Sequence, residues 1–388
     1  MKSMLKKYLS LLLAVMLFMS LAACGANDKA EKPAEPAAQA ETEEKIVFTD
    51  MAGREITLEK PATRAIADSP NTLRLYTYVM GPENLLGISP RDVKGARRMP
   101  YAIANREEFM KLKHFGGEYS VDNFEEVLLS EPDIFFSSSK EAAEYDKIQE
   151  KICAPVVALN QGGGVVFDPI LYQSIEIIGK AMGREERAQE VIDYMEGLKK
   201  DLNDRTKDIP EDERALVYAG GLAWNGPHGI EGTRENYPLF DAVNAKNVVT
   251  GINKDGLVEI DKEQLLEWDP EFIFIDLASI DLIQNDFNQN PAFYKSLRAF
   301  KEGKVYAQLP FVWCNVNVDT AMANAFYIGK IVYPDKFEDL DPIKKANEIY
   351  KFLVGREVYD ELVKDEFGGF QQVTLEDLEA NKFFKAAN

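Results

Sequence analysis

Three features of this 388-residue chain predict an α/β fold of two lobes, each with a central parallel sheet, joined by one long helix. The first is the segment 185–206, EERAQEVIDYMEGLKKDLNDRT. There Ala188, Val191, Ile192, Met195, Leu198 and Leu202 form one apolar stripe, with Glu, Lys and Asp on the opposite face. The second is the alternation of short apolar strand patterns with helical ones on both sides of that segment, which favours parallel sheets covered by helices. The third is a repeated unit: VDNFEEVLLSEPDIFF at 121–136 and IDKEQLLEWDPEFIFI at 260–275. Each reads as an Asp cap, an amphipathic helix, a Pro that stops it and a buried strand. At 1.5 Å per residue the connecting helix is about 33 Å long, enough to run the length of a small lobe. Gly183 suits the end of an earlier helix that Asp168 caps and Pro169 begins.

The chain opens MKSMLKKYLSLLLAVMLFMSLAAC. Lys2, Lys6 and Lys7 make a positive n-region, 9–21 an apolar core, and Leu21-Ala22-Ala23-Cys24 a small-residue cleavage site. This is a secretory signal whose core is short for a membrane span. LAAC resembles the bacterial lipobox, in which the cysteine becomes the lipidated first residue, so the bilayer is expected as a partner through Cys24. Residues 25–44 contain no large apolar side chain and read as a flexible tether. The expected domains are 1–24 signal, 25–44 tether, 45–167 first lobe, 168–206 bridging helices and 207–388 second lobe. Formal charge is −20, or −23 once the three signal lysines are removed. Such acidity argues against nucleic acid and against charge-driven docking on anionic lipid. Cys153 and Cys314 fall in different lobes and read as two separate buried cysteines, not a disulfide.

In order, 46–58 reads as a hairpin turning at Ala52-Gly53, and 65–67 as a strand ending at Asp68-Ser69-Pro70. A helix over 71–79 and a strand over 85–88 follow. Residues 89–110 read as irregular and carry Arg91, Arg97, Arg98 and Arg106. Helix 122–130, strand 134–137, helix 142–151 and strand 156–159 complete the first lobe. The second has strand 215–219, the loop GGLAWNGPHGIEGT at 220–233, and a helix near 237–243. Helix 282–287, strand 305–308 and helices over 319–332, 342–353 and 357–363 follow.

With these units in place, the chain resembles the substrate-binding proteins of bacterial ABC importers. It is similar to class III, whose two Rossmann-like lobes are joined by a single rigid helix with a ligand cleft between them. The matching stretches are TDMAGREITLEKPATR (49–64), VDNFEEVLLSEPDIFF, IIGKAMGREERAQEV (177–191), NAKNVV (244–249), ANAFYIGKIVYPDKF (323–337) and KANEIYKFLVG (345–355). The resemblance implies a monomeric receptor, not an enzyme, working with an ABC permease and its ATPase. The ligands it implies are iron-siderophore, haem, vitamin B12 or other metal complexes, or oxyanions, and no cofactor is expected. An iron complex is the first reading, with a corrinoid or molybdate/tungstate as alternatives. It also implies docking on the permease through one surface carboxylate per lobe, for which Glu141 or Glu144 and Glu235 are candidates.

Ligands of open α/β sheets sit outside the carboxyl ends of the strands. The loops there supply Ser69, Asn71, Arg91, Arg97, Arg98 and Tyr119 from the first lobe. From the second they supply Trp224, Asn225, His228, Phe311 and Trp313. The arginines suit an anionic chelate or oxyanion through forked hydrogen bonds, with solvated loop arginines as the plain reading. Tyr119 and Trp313 suit a flat ligand, or the core. His228 is a ligand candidate or a lone histidine in a surface turn, and His114 reads as structural. Two histidines are too few for an easy bare-cation site. The contrasting class is an extracellular lipid-anchored hydrolase, but G-x-S-x-G, H-E-x-x-H and P-loop patterns are absent from the sequence.

Overall fold

The computed structural model describes residues 45–94, 96–163, 166–252, 256–364 and 366–383. The signal, Cys24 and the tether lie outside the described residues. A hairpin of β1 (Ile46–Thr49) and β2 (Glu55–Leu58) leads in, turning as its Ala-Gly pair predicts. The first sheet follows, all parallel, in the order β5-β4-β3-β6-β7. Its strands are β3 (Ala65–Ala67), β4 (Leu85–Ile88), β5 (Lys113–His114), β6 (Ile134–Ser138) and β7 (Val156–Leu159). Helices α1 (Pro70–Met80), α2 (Phe124–Leu129) and α3 (Ala142–Ile152) connect them. The apolar runs of β6 and β7 are buried along their whole length, which marks a sheet covered on both faces.

The second sheet has the order β10-β8-β12-β13-β14. Parallel strands β8 (Leu216–Gly220), β10 (Lys246–Asn247), β12 (Phe272–Asp276) and β13 (Val305–Gln308) are closed by β14 (Gln371–Gln372), which runs antiparallel to β13. Beside it β9 (Gly232–Thr233) pairs with β11 (Val258–Glu259). Between the sheets in sequence come α4 (Pro169–Met182) and α5 (Glu185–Thr206). Asp168 caps α4 by accepting from the Ile170 N–H, and Gly183 ends it in the left-handed region at φ 64°. All six stripe residues of α5 are buried.

That long helix is braced by more than its own stripe. Helices α6 (Val318–Val332) and α7 (Pro342–Val354) pack on each other, and α7 also packs against α1 of the first sheet's side. Tyr194 of α5 stacks on Phe352 of α7 with centroids 3.9 Å apart, and Arg187 reaches the Phe352 carbonyl at 2.6 Å and the Tyr78 carbonyl at 3.3 Å. One apolar cluster runs through both sheets and these helices. The two halves therefore share a core, and a stiff connection follows.

Three sequence expectations need correcting. Residues 89–110 are not irregular but carry short helices at Arg91–Lys94, Pro100–Ala104 and Arg106–Phe109. Asp122 does not cap α2. Asn123 does, and the Asp122 carboxylate instead accepts the Gly117 N–H at 2.8 Å. Cys153 and Cys314 are both free, but neither is buried: Cys153 is exposed at the left-handed C-cap of α3, and Cys314 is half-buried in a loop.

Candidate functional site

The carboxyl ends of both sheets open on one cavity of about 550 Å³, and every wall of it is a loop or helix start that follows a strand. Ser69, Pro70 and Asn71 follow β3, Arg91 and Arg98 follow β4, and Tyr119 follows β5. Opposite them, 223–227 follow β8, Ala278 follows β12, and 312–315 follow β13. Of the sequence candidates, Ser69, Asn71, Arg91, Arg98, Tyr119, Trp224, Asn225 and Trp313 line this space.

At its centre is Trp313. The guanidinium carbons of Arg91, Arg98 and Arg97 lie 5.0, 5.5 and 5.7 Å from its ring centroid, and Arg91 also lies 4.8 Å from that of Tyr119. Three cations over one indole gain from its quadrupole and repel one another, so the cluster is arranged for negative charge. The carboxylates nearby compensate only in part. Arg98 makes a buried fork with Glu366 at 2.5 and 2.9 Å, and Arg91 Nη1 reaches Glu118 at 2.8 Å. Arg91 Nε is buried without a hydrogen-bond partner, and Arg97 pairs with no carboxylate among the described residues. Arg98 adopts φ 67°, a left-handed conformation that the Glu366 fork helps to hold.

Beneath the floor lies Asp276, fully buried at the end of β12. Burial pushes its carboxyl up to about 7, opposed by the Ala278 N–H and Arg98 and reinforced by Glu366. Its Oδ1 accepts from the Ala278 N–H at 2.8 Å, tying it to the cavity wall.

Sequence reasoning missed Arg74. It sits in α1 with no exposed surface. Its guanidinium donates to Asn317 Oδ1 at 3.2 Å, Gln161 Oε1 at 3.3 Å, and the Trp313 and Cys314 carbonyls at 3.4 and 3.0 Å. It thereby fixes, from the first sheet's side, the loop that presents Trp313 from the second. That loop needs fixing, because Cys314 and Asn315 both have positive φ, 49° and 69°. The signal in the sequence was one charge between Leu73 and Leu75 in an otherwise uncharged helix.

Three candidates fall elsewhere. Phe311 is buried against Tyr237 and belongs to the core. Arg97 is exposed and touches the site through Trp313. His228 shapes the 220–233 loop: Nδ1 lies 2.9 Å from Glu259, Nε2 lies 3.1 Å from the Trp224 carbonyl, and its N–H donates to Ser279 Oγ. Desolvation opposes charging of this ring, but the Glu259 carboxylate and the Trp224 carbonyl outweigh it, and the imidazole pKa is raised. His114 lies on the edge strand β5, exposed, 3.4 Å from the Phe109 carbonyl.

Gly116 needs to be glycine. Its φ is 82°, and a Cβ there would stand 2.0 Å from Asp122 Oδ1, the atom that organises the loop leading to Tyr119. Of the docking candidates, Glu141 and Glu144 are exposed at the start of α3, where Glu144 accepts from the Glu141 N–H at 3.1 Å. Glu235 accepts from the N–H groups of Gly251 and Ile252 at 2.7 and 3.1 Å. No group of three or more His, Cys, Asp or Glu side chains among the described residues is placed to hold a metal ion.

Residues 96–309 match the family model described as periplasmic binding protein. The chain belongs to this family. It is the substrate-binding protein of an ABC importer, of the class III type, and so an extracytoplasmic transport receptor and not an enzyme. The molybdate-binding protein MolA of Haemophilus influenzae is 22% identical over 324 residues, covering 79% of this chain and 90% of MolA. The ABC transporter substrate-binding lipoprotein YvrC of Bacillus subtilis is 22% identical over 331 residues, 84% of this chain and 98% of YvrC. Among solved structures, the TroA-like binding protein FepB of Veillonella parvula superposes with a TM-score of 0.61 at 23% identity, covering 80% of this chain and 97% of FepB. Two lobes with parallel sheets are thus the family's architecture. No helix among the described residues is long and apolar enough to cross a membrane.

Proposed function

We propose that this binding protein captures an anionic iron complex, of siderophore or hydroxycarboxylate type, and delivers it to its permease while anchored to the membrane by a lipid on Cys24. The observation that carries the ligand reading is the set of three arginines around Trp313: Arg91 and Arg98 line a cavity of about 550 Å³, and Arg97 stands against the same indole from outside it. In a protein of formal charge −20, this local excess of guanidinium draws anions and repels cations. The volume falls in the range of pockets that enclose small organic ligands. Tyr119 and Trp224, 56% and 48% exposed, leave aromatic faces free for the shell of such a complex. The Fe(3+)-citrate-binding protein YfmC of Bacillus subtilis, 25% identical over 190 residues, half of this chain, is consistent with that chemistry.

A molybdate or tungstate ion is the second reading, favoured by the same guanidiniums and by the likeness to MolA. Glu141, Glu144 and Glu235 are proposed to meet the permease, and the exposure of the first two fits that role better. Native mass spectrometry of 45–388 with ferric chelates, corrinoids and oxyanions separates these readings. One retained anionic iron complex supports the first, and a retained oxyanion replaces it with the second.

A further inference from the structure

Beside the ligand cavity, and meeting it at Asn71 and Asn315, lies a second chamber of about 280 Å³ with a different chemistry. It sits outside the carboxyl ends of β3, β6 and β7. In the order β5-β4-β3-β6-β7 the connections reverse direction between β3 and β6, the place where open α/β sheets leave a crevice for ligands. Its walls are Ser138, Ser139, Lys140, Asn160 and Gln161, with Tyr145 and the hairpin turn at Ala52 closing the far end.

The chamber is polar but electrically neutral. Its one cation, Lys140, donates to the buried Asp68 carboxylate at 2.6 Å and to Ser137 Oγ at 2.8 Å, so its charge is cancelled in place. Gln161 is fixed by Arg74 and by the Asn71 carbonyl. What remains is a set of neutral groups. The side chains of Asn71 and Ser139 have no hydrogen-bond partner among the described residues. Tyr145 accepts the Lys140 N–H at 3.1 Å and keeps its own proton to donate.

An aromatic, cationic cavity continuous with a neutral, hydrogen-bonding one fits a ligand of two unlike parts. We infer that the side chamber takes an uncharged hydroxyl- or amide-bearing arm of the ligand, while its anionic metal centre lies among the arginines. This rests on the anionic-complex reading above and adds the arm to it. Neutral hydrogen bonds in such a chamber reject a ligand that lacks the matching groups, because the groups lining it are then left to water alone.

The test uses two anionic probes, ferric tris-catecholate and the same complex with one catechol carrying a serine-amide arm. Two good hydrogen bonds predict about tenfold tighter binding of the armed complex by the wild-type protein. Ala52→Phe fills the far end of the chamber without touching the main cavity. It is expected to cut that preference to below about threefold and to leave the arm-free complex unchanged, with Ala52→Ser keeping the wild-type preference. Equal wild-type affinity for the two probes, or a preference that survives Ala52→Phe, overturns the inference alone. Failure of the wild type to bind either probe defeats the anionic-complex reading and this inference with it.

Discussion

Arg74→Met removes the charge that joins the two halves of the site while keeping most of the side-chain volume. Four acceptors lose the Arg74 guanidinium: Asn317 Oδ1, Gln161 Oε1 and the carbonyls of Trp313 and Cys314, of which the Trp313 carbonyl keeps the Asn317 amide. The buried Asp319, whose carboxyl is already pushed up by burial and held down by Arg74, loses its compensating cation. Breaking a buried charge network from one side costs about 3–5 kcal/mol. Over a body of this size, at about 2.1 cal/mol/K of unfolding entropy per residue, that is a fall in Tm of roughly 4–7 °C. The assay is a thermal melt followed by circular dichroism at neutral pH, with ligand affinity measured below the transition. Affinity is expected to fall as well, because the Trp313 loop has lost its anchor. A melt within 1 °C of wild type would refute the reasoning, since it would mean that the arginine's contacts are replaced by water at no cost.

Other consequences follow from the same geometry. Gly116→Ala forces an unfavourable φ and a clash with Asp122, so a loss of about 1–3 kcal/mol in urea melts and weaker ligand binding are expected together. Asp276 has a native pKa of about 7 against an unfolded value near 3.9, so the native state binds more protons between those limits. Its contribution to stability is therefore full below about pH 4 and is lost as pH rises through about 7. Asp276→Asn should flatten that part of the stability profile measured by urea melts, and an unchanged profile would count against it. Maleimide labelling should modify exposed Cys153 whether or not ligand is bound, and Cys314 in the cavity wall only without ligand; peptide mass spectrometry reads both.

Much of the fold was legible because each half carries its apolar residues in blocks that only one period fits. The strands 156–159 and 305–308 and the long helix 185–206 begin and end where the sequence places them. Edge strands were not legible. Gln371-Gln372 is polar, and it becomes β14 only because β13 offers an unpaired edge. The site was readable to the extent that strand-end loops could be found, which brought together Ser69, Asn71, Tyr119 and Trp313. Side-chain direction within a loop was not readable. Phe311 and Trp313 are two residues apart, yet one packs on Tyr237 and the other stands among the arginines, just ahead of the positive-φ turn at Cys314 and Asn315. Arg74 was hidden for the opposite reason, since a buried arginine looks like a helix residue until the acceptors 243 residues away are brought to it.

The proposed function turns on the sign of the ligand's charge. The deciding measurement is calorimetric titration of the wild-type protein and of Arg91→Ala/Arg97→Ala with an anionic ferric chelate and a neutral one of similar size, at low and high salt. The anionic complex is expected to bind one per chain, to weaken as salt rises, and to lose at least about tenfold in affinity in the double variant, as removal of two guanidinium charges implies. Tighter binding of the neutral chelate, indifferent to salt and to both arginines, would contradict it.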